Sequence, residues 1–225
     1  MGEILAANNR IAAANREHFQ ESAVVVVNVM GSPGSGKTAV LETTAQLLAG
    51  KRHIGALAGD LATDNDADRL SAAGIIAKSI TTGSACHLDA EMVRRGLETF
   101  PWRALDYLFV ENVGNLVCPA VYDLGQAANV VALSVTEGVD KPLKYPVMFH
   151  RADLVLITKI DLLPYLPDIQ VADIVDALSR VMPIPMFCAL SARTGEGMQS
   201  WLEWLRRRET GAIDDLARRA AAHVV

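Results

Sequence analysis

The sequence predicts an α/β fold of three layers, a mostly parallel central sheet covered by helices on both faces. Two observations carry that expectation. Short apolar runs of strand length alternate with longer stretches of helical periodicity along nearly the whole chain. A glycine-rich octapeptide, Gly31-Ser32-Pro33-Gly34-Ser35-Gly36-Lys37-Thr38, joins the first strand run to the helical stretch behind it. The chain has 225 residues, 51% of them apolar, which suits one domain with a sizeable core.

The elements follow in order. Residues 1–22 read as an N-terminal helix packed on the domain, with Ile4, Leu5 and Ala12 on its apolar stripe. Residues 23–210 form the domain proper. Its strands are expected at Val24–Met30, Ile54–Ala58, Ile75–Ile80, Tyr107–Glu111, Val130–Val135, Leu154–Thr158 and Pro185–Leu190. Its helices are expected at Gly36–Ala49, Asp64–Ala73, Leu88–Thr99, Asp168–Val181 and Gly197–Arg208. Residues 211–225, rich in Ala and Arg, read as a helical tail. Right-handed crossovers would bring the loops after the strands to one edge of the sheet.

The octapeptide fits Gly-x-x-x-x-Gly-Lys-Thr, and its strand and helix flanks make the pattern a phosphate site and the fold that of a P-loop NTPase. Gly31, Ser32, Pro33, Gly34, Ser35 and Gly36 let backbone N–H groups curl around phosphate oxygens. The helix start adds the positive end of its dipole. Lys37 is placed to reach the β- and γ-phosphates, and Thr38 Oγ to bind Mg²⁺.

Two later segments choose the base. Thr158-Lys159-Ile160-Asp161 follows a strand and is similar to the guanine motif Asn-Lys-x-Asp, with Thr158 standing where Asn is usual. The Asp161 carboxylate can accept from guanine N1–H and NH₂, a donor pair adenine lacks. The Lys159 stem would pack along the base, and Ser191-Ala192-Arg193 would present a backbone N–H to guanine O6. The nucleotide is therefore expected to be GTP or GDP. Glu111 ends a strand in Glu111-Asn112-Val113-Gly114, where it could hold a Mg²⁺-bound water while Gly114 senses the γ-phosphate. Asp60 and Asp66 are further Mg²⁺ candidates, since hard oxygen ligands suit that ion. Asp64 could instead serve as a helix cap, and its acidic neighbours as a polar face.

Composition excludes several classes. Net charge is −5 with the signs mixed, so no basic block invites nucleic acid. No apolar run reaches the roughly 18 residues of a membrane span, and the first residues carry no signal-peptide pattern. Three cysteines, an odd and sparse count, point to a reducing, cytoplasmic setting. Cys86-His87 and Cys118 each follow a strand, so their loops would leave the same sheet edge and could converge on Zn²⁺ or Ni²⁺. From spacing alone, two buried thiols and a capping His explain them as well. Cys188 reads as core, and His18, His53, His150 and His223 as surface or capping residues.

The segments Gly83–Val93, Glu111–Pro119, Thr136–Pro146 and Thr158–Leu166, with the leading helix and Val29–Pro33, resemble the HypB family of hydrogenase nickel-incorporation GTPases. The resemblance implies a metallochaperone that dimerises with GTP and assists nickel delivery during [NiFe]-hydrogenase maturation. Its partners would be a HypA-type nickel chaperone and the hydrogenase large-subunit machinery. It implies that Cys86, His87 and Cys118 bind Zn²⁺ or Ni²⁺ between two subunits. It also implies that Leu162 and Leu166 make dimer contacts and that Lys144 reaches the partner's nucleotide. Many relatives carry a Cys- or His-rich N-terminal extension; residues 1–22 here offer only His18. No catalytic Gln or cis arginine stands out in the motifs, so intrinsic turnover is expected to be slow. The alternatives are a urease-type nickel GTPase, whose metal motif would be Cys-Pro-His, a P-loop small-molecule kinase, and a nucleotide-dependent binding module without useful hydrolysis.

Overall fold

The computed structural model describes residues 2–60, 64–83 and 85–222, with side chains as far as Ile213. His223, and Ser84 within the segment Gly83–Val93, lie outside the described residues. The chain opens with helix α1 (Gly2–Glu21) and then alternates strand and helix: β1 (Val25–Gly31), α2 (Lys37–Leu48), β2 (Ile54–Asp60), α3 (Asn65–Ala72), β3 (Ile76–Thr81), α4 (Ala90–Leu97) and β4 (Tyr107–Glu111). It continues through β5 (Ala128–Ser134), the short helices α5 (Lys141–Lys144) and α6 (Pro146–His150), β6 (Leu154–Thr158), α7 (Val171–Ser179), β7 (Phe187–Ala189) and α8 (Met198–Ala222). The strands form one 7-stranded sheet in the order β3-β2-β4-β1-β5-β6-β7, each neighbouring pair parallel.

Strand β1 lies at the centre of this order, and every one of its residues is buried. Its period-2 alternation feeds both layers. Val25, Val27 and Val29 pack with Val40 and Leu41 of α2, Leu70 of α3, and Trp201 and Leu205 of α8. Val26 turns to the opposite face, where Phe19 of α1, Val93 and Leu97 of α4, and Trp102 close over the sheet. Trp201 donates through Nε1 to Thr44 Oγ1 at 2.9 Å, so even the largest buried ring has its polar atom paired.

Asn28 breaks the apolar run of β1 and is fully buried. A line of amides takes it up: Asn112 Nδ2 donates to Asn28 Oδ1 at 3.1 Å, Asn28 Nδ2 to Asn129 Oδ1 at 3.0 Å, and Gln126 Nε2 to the same Asn129 Oδ1 at 2.9 Å. These residues sit on or beside β4, β1 and β5, and Asn28 and Asn129 are in-register partners.

Most expected elements are found with their ends moved by up to three residues; three differences bear on the architecture. The last strand is Phe187–Ala189, shorter than Pro185–Leu190: only Phe187, Cys188 and Ala189 pair with β6. Helices α5 and α6 lie in a segment given no helix by the sequence reading; each carries a proline in its first turn, which hides a helix that starts there from an apolar-period test. Helix α8 runs unbroken through residues 210 and 211. Among the described residues, no helix is long and apolar enough to cross a membrane.

Candidate functional site

The end of β1 turns into the phosphate loop through backbone that only glycine tolerates. Gly31 has φ +149°, and a Cβ there would lie 2.5 Å from the Ala132 carbonyl oxygen and 2.6 Å from Ser35 Oγ. Gly36, at φ +95°, caps α2 in the left-handed region, so the following amides point into the loop. Lys37 is 8% exposed and spans the loop, with Nζ 3.4 Å from the Gly31 carbonyl and 3.2 Å from the Ser32 carbonyl. Burial lowers its pKa; the facing Glu111, Asp66 and Glu137 oppose that shift.

Thr38 Oγ1 lies 2.7 Å from Glu111 Oε1 and 3.1 Å from Asp66 Oδ1. One hydroxyl proton cannot serve both carboxylates, and Glu111 Oε2 is buried with no hydrogen-bond partner. Burial pushes the Glu111 carboxyl up to about 7, while Thr38 and Lys37 pull the other way. An orphaned carboxylate oxygen beside a hydroxyl and a second carboxylate is a donor set that fits Mg²⁺. A cavity of about 470 Å³ opens above this group, lined by Pro33, Gly34, Gly36, Lys37, Thr38, Asp60, Asp66, Glu111, Asn112, Gly114 and Lys159. Gly114 closes against the loop: a Cβ there would meet Pro33 Cγ at 2.8 Å.

The base-side residues also converge. Thr158 Oγ1, at the end of β6, donates to the Ser35 carbonyl at 2.6 Å, tying the strand end to the phosphate loop. Lys159 adopts a left-handed φ of 61°, and its Nζ donates to the Gly34 carbonyl at 2.7 Å. Ser191 Oγ donates to Asp161 Oδ1 at 2.6 Å, which joins the two base loops. Thr43 Oγ1 of α2 donates to the Ala192 carbonyl at 3.0 Å. Arg193 lines a neighbouring hollow with Glu42, Gln46 and Arg69. Asp64 occupies the N-cap position of α3, without a side-chain cap bond.

Cys86, His87 and Cys118 meet in space. Their donor atoms all lie within 4.8 Å of one another. Cys86 Sγ is 2.8 Å from Cys118 Sγ and 3.9 Å from His87 Nδ1. Burial lowers the His87 pKa, with Asp89 opposing; the hydrogen bond to Cys86, followed by burial, raises that of the Cys118 thiol. Two soft sulfurs and an imidazole at this separation suit a borderline ion such as Zn²⁺ or Ni²⁺. Cys188 sits apart in the core, as its sequence context indicates.

One segment borders both the cavity and the thiol–imidazole cluster. It runs from Glu111 through Gly114 to Cys118, and Gly31 forms an isolated bridge with Asn115 along it. Asn112 Oδ1 accepts from Leu88 N at 3.1 Å, and Asn115 Nδ2 donates to the Cys86 carbonyl at 3.4 Å. The sequence reading assigned neither asparagine a role, nor Tyr122, whose ring stacks on His87 with centroids 3.8 Å apart. An available signal for Asn112 was its position beside Glu111 at the end of an apolar strand.

The remaining candidates are peripheral. Lys144, exposed at the end of α5, pairs with Asp140 at that helix's N-cap at 2.7 Å. Leu162 and Leu166 pack half-buried against their own domain's core, while Tyr165 between them is 80% exposed. His53 stands at the surface beside Asp106, and His150 Nδ1 lies 3.3 Å from the Val181 carbonyl.

Comparison with known proteins agrees with this geometry. Residues 25–184 match the family model described as the CobW/HypB/UreG nucleotide-binding domain. The hydrogenase maturation factor HypB of Azotobacter chroococcum mcd 1 is 49% identical over 224 residues, covering 98% of this chain and 73% of that protein. The crystal structure of HypB from Helicobacter pylori, in complex with nickel, superposes with a TM-score of 0.86 at 37% identity, covering 91% of this chain and 96% of that one. HypB from Archaeoglobus fulgidus superposes at 0.84 with 39% identity, covering 91% and 100%. With its phosphate loop, carboxylate pocket and thiol–imidazole cluster on one sheet edge, this chain belongs to the HypB hydrogenase maturation factors of the CobW/HypB/UreG nucleotide-binding family.

Proposed function

We propose that this chain hydrolyses GTP to GDP and phosphate and that the hydrolysis times its dimerisation and its hand-off of Ni²⁺ to a hydrogenase under maturation. The observation that carries the reading is the shared segment: Glu111 and Gly114 border the nucleotide cavity, and Cys118 at its far end joins the metal cluster. Lys37 would leave the Gly31 and Ser32 carbonyls for the β- and γ-phosphate oxygens, and the loop amides would neutralise charge developing in the transition state. Thr38 and Asp66, with Glu111 behind, would hold Mg²⁺, which would supply charge neutralisation at the phosphates. Water attacks the γ-phosphorus in line as the bond to the β–γ bridging oxygen breaks, and GDP departs with that oxygen. Asp161 and Ser191 would select guanine, and Lys159 would lie along the base.

Cys86, His87 and Cys118 give three donors, one fewer than a tetrahedral site takes. A second subunit can complete the set for Ni²⁺ or Zn²⁺, and Leu162, Leu166 and Lys144 are the residues assigned to that contact and to the partner's nucleotide. A HypA-type chaperone is the proposed nickel donor or recipient, in a reducing compartment that keeps the thiols free. Single-turnover GTP hydrolysis tests the enzyme: Lys37→Ala is expected to lose most of the rate while circular dichroism stays unchanged. Wild-type turnover in that variant would sink the phosphate-site assignment.

A further inference from the structure

We propose that helix α1 is the positioning element of the Cys86–His87–Cys118 cluster, with Asn8, Asn15 and Arg16 holding the two ligand-bearing segments together from behind. The proposal rests on the metal-binding reading above. Helix α1 buries Asn8, Ala12, Asn15 and Phe19 on one face. Two asparagines on a buried helix face cost stability unless fully bonded, and alanine or leucine would pack there without that cost. Their side-chain hydrogen bonds go to main chain of the segments that flank the cluster. Asn8 Oδ1 accepts from Ala90 N at 2.9 Å, and Asn8 Nδ2 donates to the Asp123 carbonyl at 2.8 Å. Asn15 Nδ2 donates to the Ala90 carbonyl at 3.0 Å and to the Leu124 carbonyl at 3.1 Å.

Ala90 follows His87 at the start of α4, and Asp123 follows Tyr122, the ring stacked on His87. Each asparagine therefore bridges the segment that carries Cys86 and His87 to the segment that carries Cys118. Arg16 adds a forked pair to Asp123, both distances 2.7 Å. The contact is close enough to demand glycine: a Cβ at Gly125 would meet the Ala12 carbonyl oxygen and Asn15 Cβ, each at 2.7 Å. The two loops cannot part without breaking bonds to α1, so the helix, together with the direct Asn112–Leu88 and Asn115–Cys86 bonds, sets the separation of the donor atoms. This parallels the outer groups that orient metal ligands in other sites, whose loss typically costs about 10- to 100-fold in affinity.

The test titrates the full chain with Ni²⁺ and with Co²⁺, following thiolate charge-transfer and ligand-field absorption, while fluorescent GDP binding is measured in parallel. Asn8→Ala is expected to weaken Ni²⁺ binding by roughly 10-fold or more and to alter the Co²⁺ spectrum, with GDP affinity unchanged. Arg16→Met, at a side chain 37% exposed, leaves the core intact and is expected to shift metal binding in the same direction by less. It decides the matter should Asn8→Ala not fold. Wild-type metal affinity and spectrum in the folded variants would overturn the proposal. Wild-type metal binding by Cys118→Ser would instead strike down the metal-site reading, and this proposal with it.

Discussion

Replacing Thr158 by valine removes one hydroxyl from the joint between the phosphate loop and the base loop. Thr158 is 2% exposed, and its Oγ1 donates to the Ser35 carbonyl at 2.6 Å. Valine keeps the shape and puts a methyl where the donor was. The Ser35 carbonyl, in a fully buried residue, is then left without this donor in place of water. A buried partner stranded in this way costs about 1–3 kcal/mol. Serine keeps the donor and loses only a methyl, a cost of about 1 kcal/mol. Urea unfolding of the nucleotide-free protein reads the difference directly. Thr158→Val should lower the unfolding free energy by that ~1–3 kcal/mol, read as a lower urea midpoint at unchanged slope, with Thr158→Ser between it and wild type. GDP affinity should fall in the same order, because the carbonyl that loses its tether belongs to the cradle itself. A valine variant as stable as wild type would refute the claim that this hydroxyl ties the loop down.

Three further outcomes are expected. Asp161→Asn swaps an acceptor for a donor against guanine and should move preference from guanine to xanthine nucleotides; unchanged GTP binding in competition assays would mean the base motif is misassigned. Glu111 holds its proton more tightly folded than unfolded, up to about 7 from 4.5, so stability falls as pH rises through that window. Glu111→Gln should therefore exceed wild type by about 3 kcal/mol in chelator at pH 8, and the gap should close toward pH 4.5; chemical unfolding at the two pH values showing a constant gap would contradict the burial argument. Sedimentation should give a dimer with a non-hydrolysable GTP analogue and Mg²⁺ and a monomer or weak dimer with GDP, while Leu162→Ala with Leu166→Ala stays monomeric. Because both leucines also pack on their own core, that double variant should lose stability as well.

Much of this molecule was legible because its signals are local. The strand Val24–Met30, the glycine loop and the following helix each obey a short-range rule, and Tyr107–Glu111 and Leu154–Thr158 were placed to the residue. The metal cluster was only half legible. Loop positions after parallel strands told which residues share an edge, but two thiols and an imidazole at that edge fit a core as well as a site until their separation was known. Asn8, Asn15 and Tyr122 were invisible for the same reason: their partners are main-chain atoms or rings far away in sequence. Helices α5 and α6 were missed because four or five residues opened by a proline leave no period to detect.

The line of amides through the sheet has a consequence for how the strands find each other. A parallel sheet of valines and leucines is tolerant of slippage, since neighbouring rungs look alike. Asn28 and Asn129 do not. If β1 slid by one residue against β5, Asn28 would turn to the other face and meet the valines' partners, and Asn129 and Asn112 would each lose a bond to it. Only one alignment pairs all four side chains. The amides thus act as a key cut for a single rung, and that rung fixes how far β1 projects at its upper end, where the phosphate loop begins.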